Sequence, residues 1–421
     1  MNPSLGAAIR YGLPGFALAF AALPLYLLTP ALYAQGLGLN LAAVGLVLMA
    51  TRLTDAVADP WIGRLIDRSQ SGYRIWLAGG LLVLAVSLAL LVNPPIEWLT
   101  QEGSSSLAGL LWMGLFALLV SLANSTAMLA HQGWAVAWTA EQQGQARLVG
   151  ARETWALLGV ILAAAFAAQR EGFLMAVVLV MAVAASILGT RNLFDRTQAQ
   201  KDEALLPWRS LLNVAPFRRL LVIYSANALA NSVPATLVLF FMQDILGLAP
   251  ELGAGLLALY FICAAIGVPL WTKVCTKFGA AKSWRFAMLA AIGAFAWALT
   301  LERGDALAFA IICVVTGLTL GAELIVPPLL LGRVIHAAGH RQKLEASYFG
   351  VLNLAQKLAL AAAAGLTLPA LSWFGYAPGQ AAGMQDGQPA ALQWVYAGLP
   401  CGLKLIAISM LYRYERKGVI S

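Results

Sequence analysis

The chain has 421 residues, of which 61% are hydrophobic and only 11% are charged, and its formal net charge is +8 at pH 7. A typical soluble domain carries about 25% charged residues, so this composition excludes a soluble protein and indicates a polytopic membrane protein. Because Lys and Arg are concentrated in alternate short loops, the positive charge indicates membrane topology and not a nucleic-acid partner.

About twelve apolar segments of membrane-spanning length follow one another along the chain. The predicted spans of the first half lie near residues 11–33, 41–66, 75–92, 107–138, 148–168 and 173–191. Those of the second half lie near residues 217–243, 252–272, 284–300, 307–331, 346–371 and 391–412. The pattern predicts an all-α polytopic membrane protein.

One long polar segment separates the two sets of spans. We interpret residues 193–215 as a cytoplasmic linker between an N-terminal half, 1–192, and a C-terminal half, 216–421. The basic loops alternate with loops at 93–106 and 372–389 that contain no Lys or Arg. This alternation predicts that both termini are cytoplasmic, and the first span is expected to be a retained helix and not a cleaved signal peptide.

The two halves also show a weak internal repeat, in which residues 63–76 correspond to residues 271–284. In that alignment Asp59 corresponds to Gly267 and Asp55 to Cys263, so an acidic pair is present in one half only. A feature confined to one half indicates function more than architecture. Two six-helix halves of one topology are typical of major facilitator transporters, whose sites lie near the midplane.

Three charged residues lie inside the second predicted span. Arg52, Asp55 and Asp59 are spaced so that all three fall on one helix face. A charge near the centre of a bilayer costs several kcal/mol, so these groups must face a polar cavity or one another. Two neighbouring carboxylates are what a small cation or a proton needs; an ion pair that holds two helices together is the alternative.

The stretch around these residues resembles the signature of the glycoside–pentoside–hexuronide:cation symporters, a melibiose-carrier-like family of the major facilitator superfamily. That signature reads Arg-x-x-Asp-x-x-x-Asp-Pro-x-x-Gly-x-x-x-Asp-Arg. Every position is kept, at Arg52, Asp55, Asp59, Pro60, Gly63, Asp67 and Arg68. The resemblance extends weakly along the whole chain, including residues 344–357.

The resemblance implies the major facilitator fold and a symporter that works by alternating access. It implies that Asp55 and Asp59 bind the coupling ion, Na⁺ or H⁺, and that Ser125 completes this site. It further implies a charge network of Arg52 and Lys357 with the carboxylates. No other cofactor is expected. Residues of the signature's last part are expected to form a cytoplasmic gate loop: Gly63, Asp67 and Arg68.

The sequence departs from the family at the sugar site. Ala19 and Met128 stand where the melibiose carrier has sugar-binding aspartates, so galactoside specificity does not follow. A small, sugar- or glycoside-like solute is the first expectation. A transporter of lysolipids or other amphiphiles is the alternative, because loss of both acids makes the cavity less polar. A non-transporting membrane assembly or sensor protein with the same fold is the second alternative.

Further polar residues within the spans are candidates for a substrate cavity. They are Asn124, Gln132, Arg152, Asn227, Asn231, Asn353 and Gln356. Each amide could instead bond between helices, and Arg152 with Glu153 could instead anchor a helix end. Glu323 lies inside the tenth span and needs a partner, which Lys404 could provide unless its ammonium reaches the interface.

Motifs of enzyme chemistry are absent from the sequence. There is no GxxxxGK[ST] phosphate loop, no HExxH, no GxSxG and no dinucleotide-binding fingerprint, so we expect no enzyme and no use of ATP. The four cysteines have no metal-ligand spacing. The expected partners are a small-molecule substrate and the lipid bilayer, without nucleic acid, for a monomer in a bacterial-type inner (plasma) membrane.

Overall fold

The computed structural model describes residues 2–95, 106–169, 172–195, 207–376 and 388–416. Within these residues there is no strand, and twelve long helices follow one another. The helices are α1 (Leu5–Ala31), α2 (Leu41–Arg68), α3 (Tyr73–Val92), α4 (Ser106–Trp138), α5 (Gln142–Gln169), α6 (Gly172–Thr190), α7 (Ala215–Phe240), α8 (Pro250–Phe278), α9 (Ala280–Ala298), α10 (Ala306–Ala337), α11 (Glu345–Trp373) and α12, which comprises Gln388–Gln393, a π-helical turn Trp394–Gly398, and Leu399–Arg416.

Much of the predicted linker and of the two loops without basic residues lies outside the described residues. Of the linker, a short 3₁₀ helix, Trp208–Asn213, is described. Two further π-helical turns, Leu32–Gly36 and Phe241–Ile245, extend α1 and α7 at their C-terminal ends.

Eleven of the twelve helices are long and apolar enough to cross a membrane. The remaining one, α9, has membrane-spanning length, but Lys282 and Arg285 lie near its start and lower its mean hydropathy. The predicted all-α polytopic membrane fold with about twelve spans is therefore confirmed.

The chain divides into two compact units. Unit 1 comprises Met1–Ser210 and Ile335–Val351, and unit 2 comprises Leu211–Val334 and Leu352–Ser421. Unit 1 therefore includes the last residues of α10 and the first two turns of α11, whereas the division predicted from the sequence places both with the C-terminal half.

Two glycines allow α2 and the start of α11 to approach closely within unit 1. A Cβ atom on Gly63 would overlap the carbonyl group of Ala346. A Cβ atom on Gly350 would lie 2.5 Å from the carbonyl oxygen of Asp59 and 2.9 Å from the Cα of Pro60. Both contacts are backbone contacts that a rotamer change cannot relieve, so no larger residue fits without separating the helices.

Arg341 holds the same segment to the end of α4. Its Nη2 donates to the carbonyl oxygen of Ala137 at 3.1 Å, and its Nε donates to that of Val136 at 3.3 Å. These carbonyls belong to the last turn of α4, where helical donors are lacking. A cationic group also interacts favourably with the helix dipole at this end.

The connection between α2 and α3 is shorter than the sequence suggested. The prediction that Gly63, Asp67 and Arg68 form a gate loop is wrong in its secondary structure, because all three residues lie in the last turns of α2. The helix ends at Arg68, and the N–H of the following C-cap residue, Ser69, donates to the carbonyls of Leu65 and Ile66. Arg68 in the last turn is favourable for the helix dipole, and Asp67 has hydrogen-bond partners on α11, described below.

Replacing Gly63 by Ala is expected to destabilise the protein by about 1–3 kcal/mol, because the added Cβ overpacks the contact with Ala346. Gly45→Ala is the matched control on the same helix, since no heavy atom lies within 4 Å of the position of its Cβ. That control is expected to be neutral or slightly stabilising, because Ala is the better helix former. Thermal unfolding of the purified proteins in detergent measures the difference, and equal melting temperatures would contradict the close approach.

Candidate functional site

Two helices of unit 1 bring the predicted cation ligands together. Asp55 and Asp59 lie one turn apart on α2, and their exposed fractions are 6% and 0%. Ser125 of α4, itself 5% exposed, donates its Oγ–H to Asp55 Oδ1 at 2.7 Å. Asp55 and Ser125 are thus hydrogen-bonded between two helices, and the buried Asp59 lies one turn further along α2. We call these three residues the Asp55–Asp59 cluster.

Local packing explains the position of Ser125. Gly80 of α3 faces α4, and a Cβ on Gly80 would lie 2.9 Å from both the Cβ and the amide nitrogen of Ala127. The close approach of α3 and α4 therefore fixes the backbone of α4 two residues from Ser125. On α2, Pro60 has no N–H, so the carbonyl of Ala56 lacks its usual helical donor.

The cluster has the ligand chemistry of a hard cation. Na⁺, like other hard cations, is coordinated by carboxylate, hydroxyl and carbonyl oxygens, and a carboxylate pair can instead share a proton. No group of three or more His, Cys, Asp or Glu side chains in the described residues could hold a metal ion. The candidate ligands are therefore two carboxylates with a hydroxyl group.

Arg52 and Lys357, the other residues expected in the charge network, belong to different units. Arg52 is exposed on α2 in unit 1, and Lys357 is half-buried on α11 in unit 2. Near Lys357, Asn353 is half-buried and Gln356 is exposed, and the Gln356 side chain accepts a hydrogen bond from Tyr224 Oη at 2.9 Å. The coupling of Arg52 and Lys357 to the carboxylates stays a prediction.

Asp67 performs the role of a helix cap for α11. Leu344 occupies the N-cap position, since its carbonyl accepts from the N–H of Tyr348, but its side chain cannot accept a hydrogen bond. The Asp67 carboxylate accepts instead from the N–H groups of Ala346 at 3.2 Å and Ser347 at 2.7 Å. These are the N2 and N3 positions that an N-cap side chain normally serves, and the negative charge also suits the helix N-terminus.

Tyr73 connects this cap to a second carboxylate. Its Oη lies 3.2 Å from Asp67 Oδ1 and 3.0 Å from Glu345 Oε2. Asp67, Tyr73 and Glu345 have exposed fractions of 1%, 0% and 0%. Arg68, by contrast, is exposed and makes no hydrogen bond or ion pair with a described residue.

Asp67→Ala is expected to accelerate amide hydrogen exchange in the first turn of α11 about tenfold, because loss of an N-cap costs about 1–2 kcal/mol. Arg68→Ala is the matched control, since it removes a charge from the adjacent, exposed position. Hydrogen-exchange mass spectrometry of peptides that cover Ala346 and Ser347 measures the effect. Unchanged exchange in Asp67→Ala would contradict the capping role.

Arg152 and Glu153 of α5 form a second polar pair in unit 1. Arg152 is 6% exposed, and its Nε and Nη2 both donate to Glu153 Oε1. Its Nη1 is buried without a hydrogen-bond partner among the described residues, as is Oδ1 of Asn124. Gln132 is also buried, at 6% exposure. Arg152 is thus a buried cation with an unused donor and not an anchor at a helix end.

Unit 2 contains a buried network in which both carboxylate oxygens of Glu323 accept hydrogen bonds. Lys404 Nζ donates to Glu323 Oε1 at 2.8 Å and to Asn227 Oδ1 at 3.0 Å. Glu323 Oε2 accepts from Asn227 Nδ2 at 2.6 Å and from Trp284 Nε1 at 2.8 Å. Of the two alternatives for Lys404, the structure shows the ion pair with Glu323.

Asn227 and Asn231, predicted to share a helix face, differ in role. Asn227 bonds between helices, as described, whereas Asn231 lines a cavity in unit 2. The sequence analysis did not identify Trp284 as a partner of Glu323. Nothing in the sequence distinguishes this tryptophan from one that lies at the membrane interface.

Removing one partner of the Lys404–Glu323 pair is expected to destabilise the protein by about 3–5 kcal/mol, because an uncompensated buried charge remains. Lys404→Met and Glu323→Gln should therefore each lower the melting temperature strongly. The double variant should regain much of that loss, since no charge is then buried. A double-mutant cycle by thermal unfolding measures the coupling, and additive losses would contradict the pairing.

The fold and the buried polar groups within its helices define a class, the multi-span membrane proteins. Residues 10–416 match the family described as MFS/sugar transport protein, and the chain belongs to this family of the major facilitator superfamily. Proteins of this superfamily transport small molecules and are not enzymes, so the prediction of a non-enzymatic major facilitator protein is confirmed. Membership also favours transport over the alternative of a non-transporting assembly protein.

Individual relatives are more distant. The chain is 26% identical over 241 residues to the uncharacterized symporter YnaJ of Bacillus subtilis (strain 168), a match that covers 51% of this chain and 50% of the relative. The chain therefore spans about half the length of the curated relative it matches.

Solved structures share the fold. A bacterial homologue of the iron transporter ferroportin has a TM-score of 0.72 at 12% identity, over 98% of this chain and 100% of that one. The human organic anion transporter MFSD10 has a TM-score of 0.67 at 16% identity, over 97% and 98% of the two chains. The E. coli fucose:proton symporter FucP has a TM-score of 0.66 at 15% identity, over 97% of each chain.

Proposed function

We propose that the protein is a cation-coupled secondary symporter in which Asp55 and Asp59 bind Na⁺ or H⁺. The observation that carries the proposal is the hydrogen bond from Ser125 to Asp55, 2.7 Å long, inside a buried carboxylate pair. The complete melibiose-carrier-like signature on α2 supports it, as does the similarity to a protein named as a symporter.

Binding of a cation to Asp55 and Asp59 would change the affinity for solute by reducing the repulsion between the two carboxylates. Two buried carboxylates repel each other, and a bound cation or proton removes part of that repulsion. If the resulting state binds the solute more tightly, then the solute must favour cation binding by the same factor. Arg52 and Lys357 would balance the carboxylates when the cation is absent, and solute and ion would cross together by alternating access.

Asp67 would control access at one end of the protein. The start of α11 is held to α2 by the Asp67 hydrogen bonds and by the close approach at Gly63. Opening at this end would require these bonds to break. In this proposal the end that carries Asp67 is cytoplasmic, both termini are cytoplasmic, and the monomer resides in a bacterial-type inner membrane.

The substrate proposed first is a small sugar- or glycoside-like solute, in keeping with the family description. Arg152, with its unused buried Nη1, and Asn124, with its unused Oδ1, are the polar groups best suited to bind such a solute in unit 1. The alternative is a lysolipid or another amphiphile. Met128, which stands where the melibiose carrier has an acid, is 38% exposed and favours a less polar solute.

Asp59→Asn is expected to abolish stabilisation by the coupling ion, because a ligand raises the melting temperature only through binding to the folded state. The measurement is the melting temperature of purified protein against Na⁺, Li⁺ and pH, for the wild type, Asp59→Asn and Ser125→Ala. A rise specific to Na⁺ or Li⁺ indicates an alkali-cation symporter, and a shift with pH alone indicates a proton symporter.

Glu251→Gln is the control, since it neutralises an exposed acid in unit 2. Ser125→Ala should keep the response but require more cation, because one oxygen ligand is lost. If Asp59→Asn responds like the wild type under every condition, the carboxylate pair is structural and the symporter proposal fails.

A further inference from the structure

Unit 2 contains a cavity of about 360 Å³, bounded by α7, α8, α9, α10 and α12. All of its lining residues belong to unit 2, so it is distinct from the Asp55–Asp59 cluster. Its volume lies within the range of about 300–1,000 Å³ that is typical of small-molecule sites. Such sites are mostly apolar, with a few polar groups that orient the ligand.

Five aromatic side chains form much of the cavity wall. They are Tyr260, Phe261, Phe295, Phe309 and Tyr396. Two pairs are arranged edge to face: the ring centroids of Tyr260 and Phe261 lie 5.2 Å apart, and those of Phe295 and Tyr396 lie 5.8 Å apart. Rings fixed in these orientations favour a flat aromatic ligand, which can stack on one ring and meet the edge of another.

Three polar groups in this wall have unused hydrogen-bonding capacity. Asn231, Tyr260 and Tyr396 line the cavity, and neither the Asn231 amide nor the two hydroxyl groups form a side-chain hydrogen bond with any described residue. Polar groups in protein interiors are normally paired with protein, water or ligand. These groups therefore suit a ligand that carries its own donor or acceptor.

The positive charge of Lys404 at the cavity wall is balanced by the negative charge of Glu323. Lys404 is the charged residue of the lining, and its ammonium uses two of its three N–H groups on Glu323 and Asn227. The adjacent Glu323 carboxylate would repel an anionic ligand, and the ammonium itself would repel a cationic one. One N–H of Lys404 remains as a donor for an uncharged acceptor.

We propose that this cavity binds an uncharged aromatic solute that carries a hydroxyl or carbonyl group. The aromatic body packs among Tyr260, Phe295 and Tyr396, and the polar group bonds with Asn231 and Lys404. None of the lining residues belongs to the Asp55–Asp59 cluster, so this proposal goes beyond the proposed symport and is tested separately from it.

The experiment uses the full chain in phosphatidylcholine nanodiscs and two radiolabelled probes. 1-Naphthol carries a neutral hydroxyl group on two fused rings, and 1-naphthoate carries an anionic carboxylate on the same rings. We expect saturable binding of 1-naphthol that is at least tenfold tighter than that of 1-naphthoate.

Two variants test the location. Ala291→Phe fills the cavity wall and should weaken 1-naphthol binding at least tenfold. Asn231→Leu removes a polar partner and should weaken it about tenfold. Ala254→Phe makes the same substitution as the first variant at an exposed position of α8 that does not line the cavity, and should leave binding unchanged. Thermal unfolding identifies any variant that fails to fold. If Ala291→Phe or Asn231→Leu fails in this way, the other of the two variants tests whether 1-naphthol binds in the cavity.

Three results would overturn the proposal. Binding of 1-naphthol that does not saturate would mean partition into the bilayer only. Saturable binding that neither Ala291→Phe nor Asn231→Leu weakens would mean another location. Equal or tighter binding of 1-naphthoate would contradict the charge argument. Glu251→Gln, which neutralises an exposed acid of α8 that does not line the cavity, should bind 1-naphthol like the wild type. The binding assay uses no cation titration, so its outcome is separate from that of the cation-site test.

Discussion

A charged group inside a membrane-spanning helix bundle loses its hydration, and it persists only where other polar groups replace the lost water. Lys404 and Glu323 meet this constraint through an ion pair of 2.8 Å. Asp67 meets it through two backbone N–H groups of α11, and Asp55 through the hydroxyl of Ser125. Each of these pairings joins two helices, so satisfying the charges also fixes how neighbouring helices pack.

The buried clusters differ in how completely their bonding capacity is used. Both oxygens of Glu323 accept hydrogen bonds from Asn227, Trp284 or Lys404. A cation could bind Glu323 only by replacing these donors. Arg152 and Asn124 retain unused polar atoms in the protein interior. Saturated clusters stabilise a fold, whereas unsaturated ones are suited to ligands. This difference separates the structural role of Glu323 from the binding roles proposed for unit 1.

The sequence predicted those features that depend on local chemistry. Hydropathy is a property of consecutive residues, so the spans were recognisable, and the spacing of Asp55 and Asp59 placed them on one face because helix geometry is regular. The end of α2 at Arg68 was not predictable in this way, because the partner of Asp67 is an amide 279 residues away. Ser125 entered through the family resemblance alone. Hydropathy did not indicate whether Lys404 would pair with Glu323 or reach the interface.

The composition of unit 1 also has a consequence for biosynthesis. Its segment Ile335–Val351 is translated only after residues 211–334 of unit 2, a delay of roughly 6–25 s at about 5–20 residues/s. During that time the N–H groups that Asp67 needs do not yet exist, and the surface of α2 around Gly63 lacks its helical neighbour. The nascent first unit must therefore remain incomplete until much of the second has been synthesised.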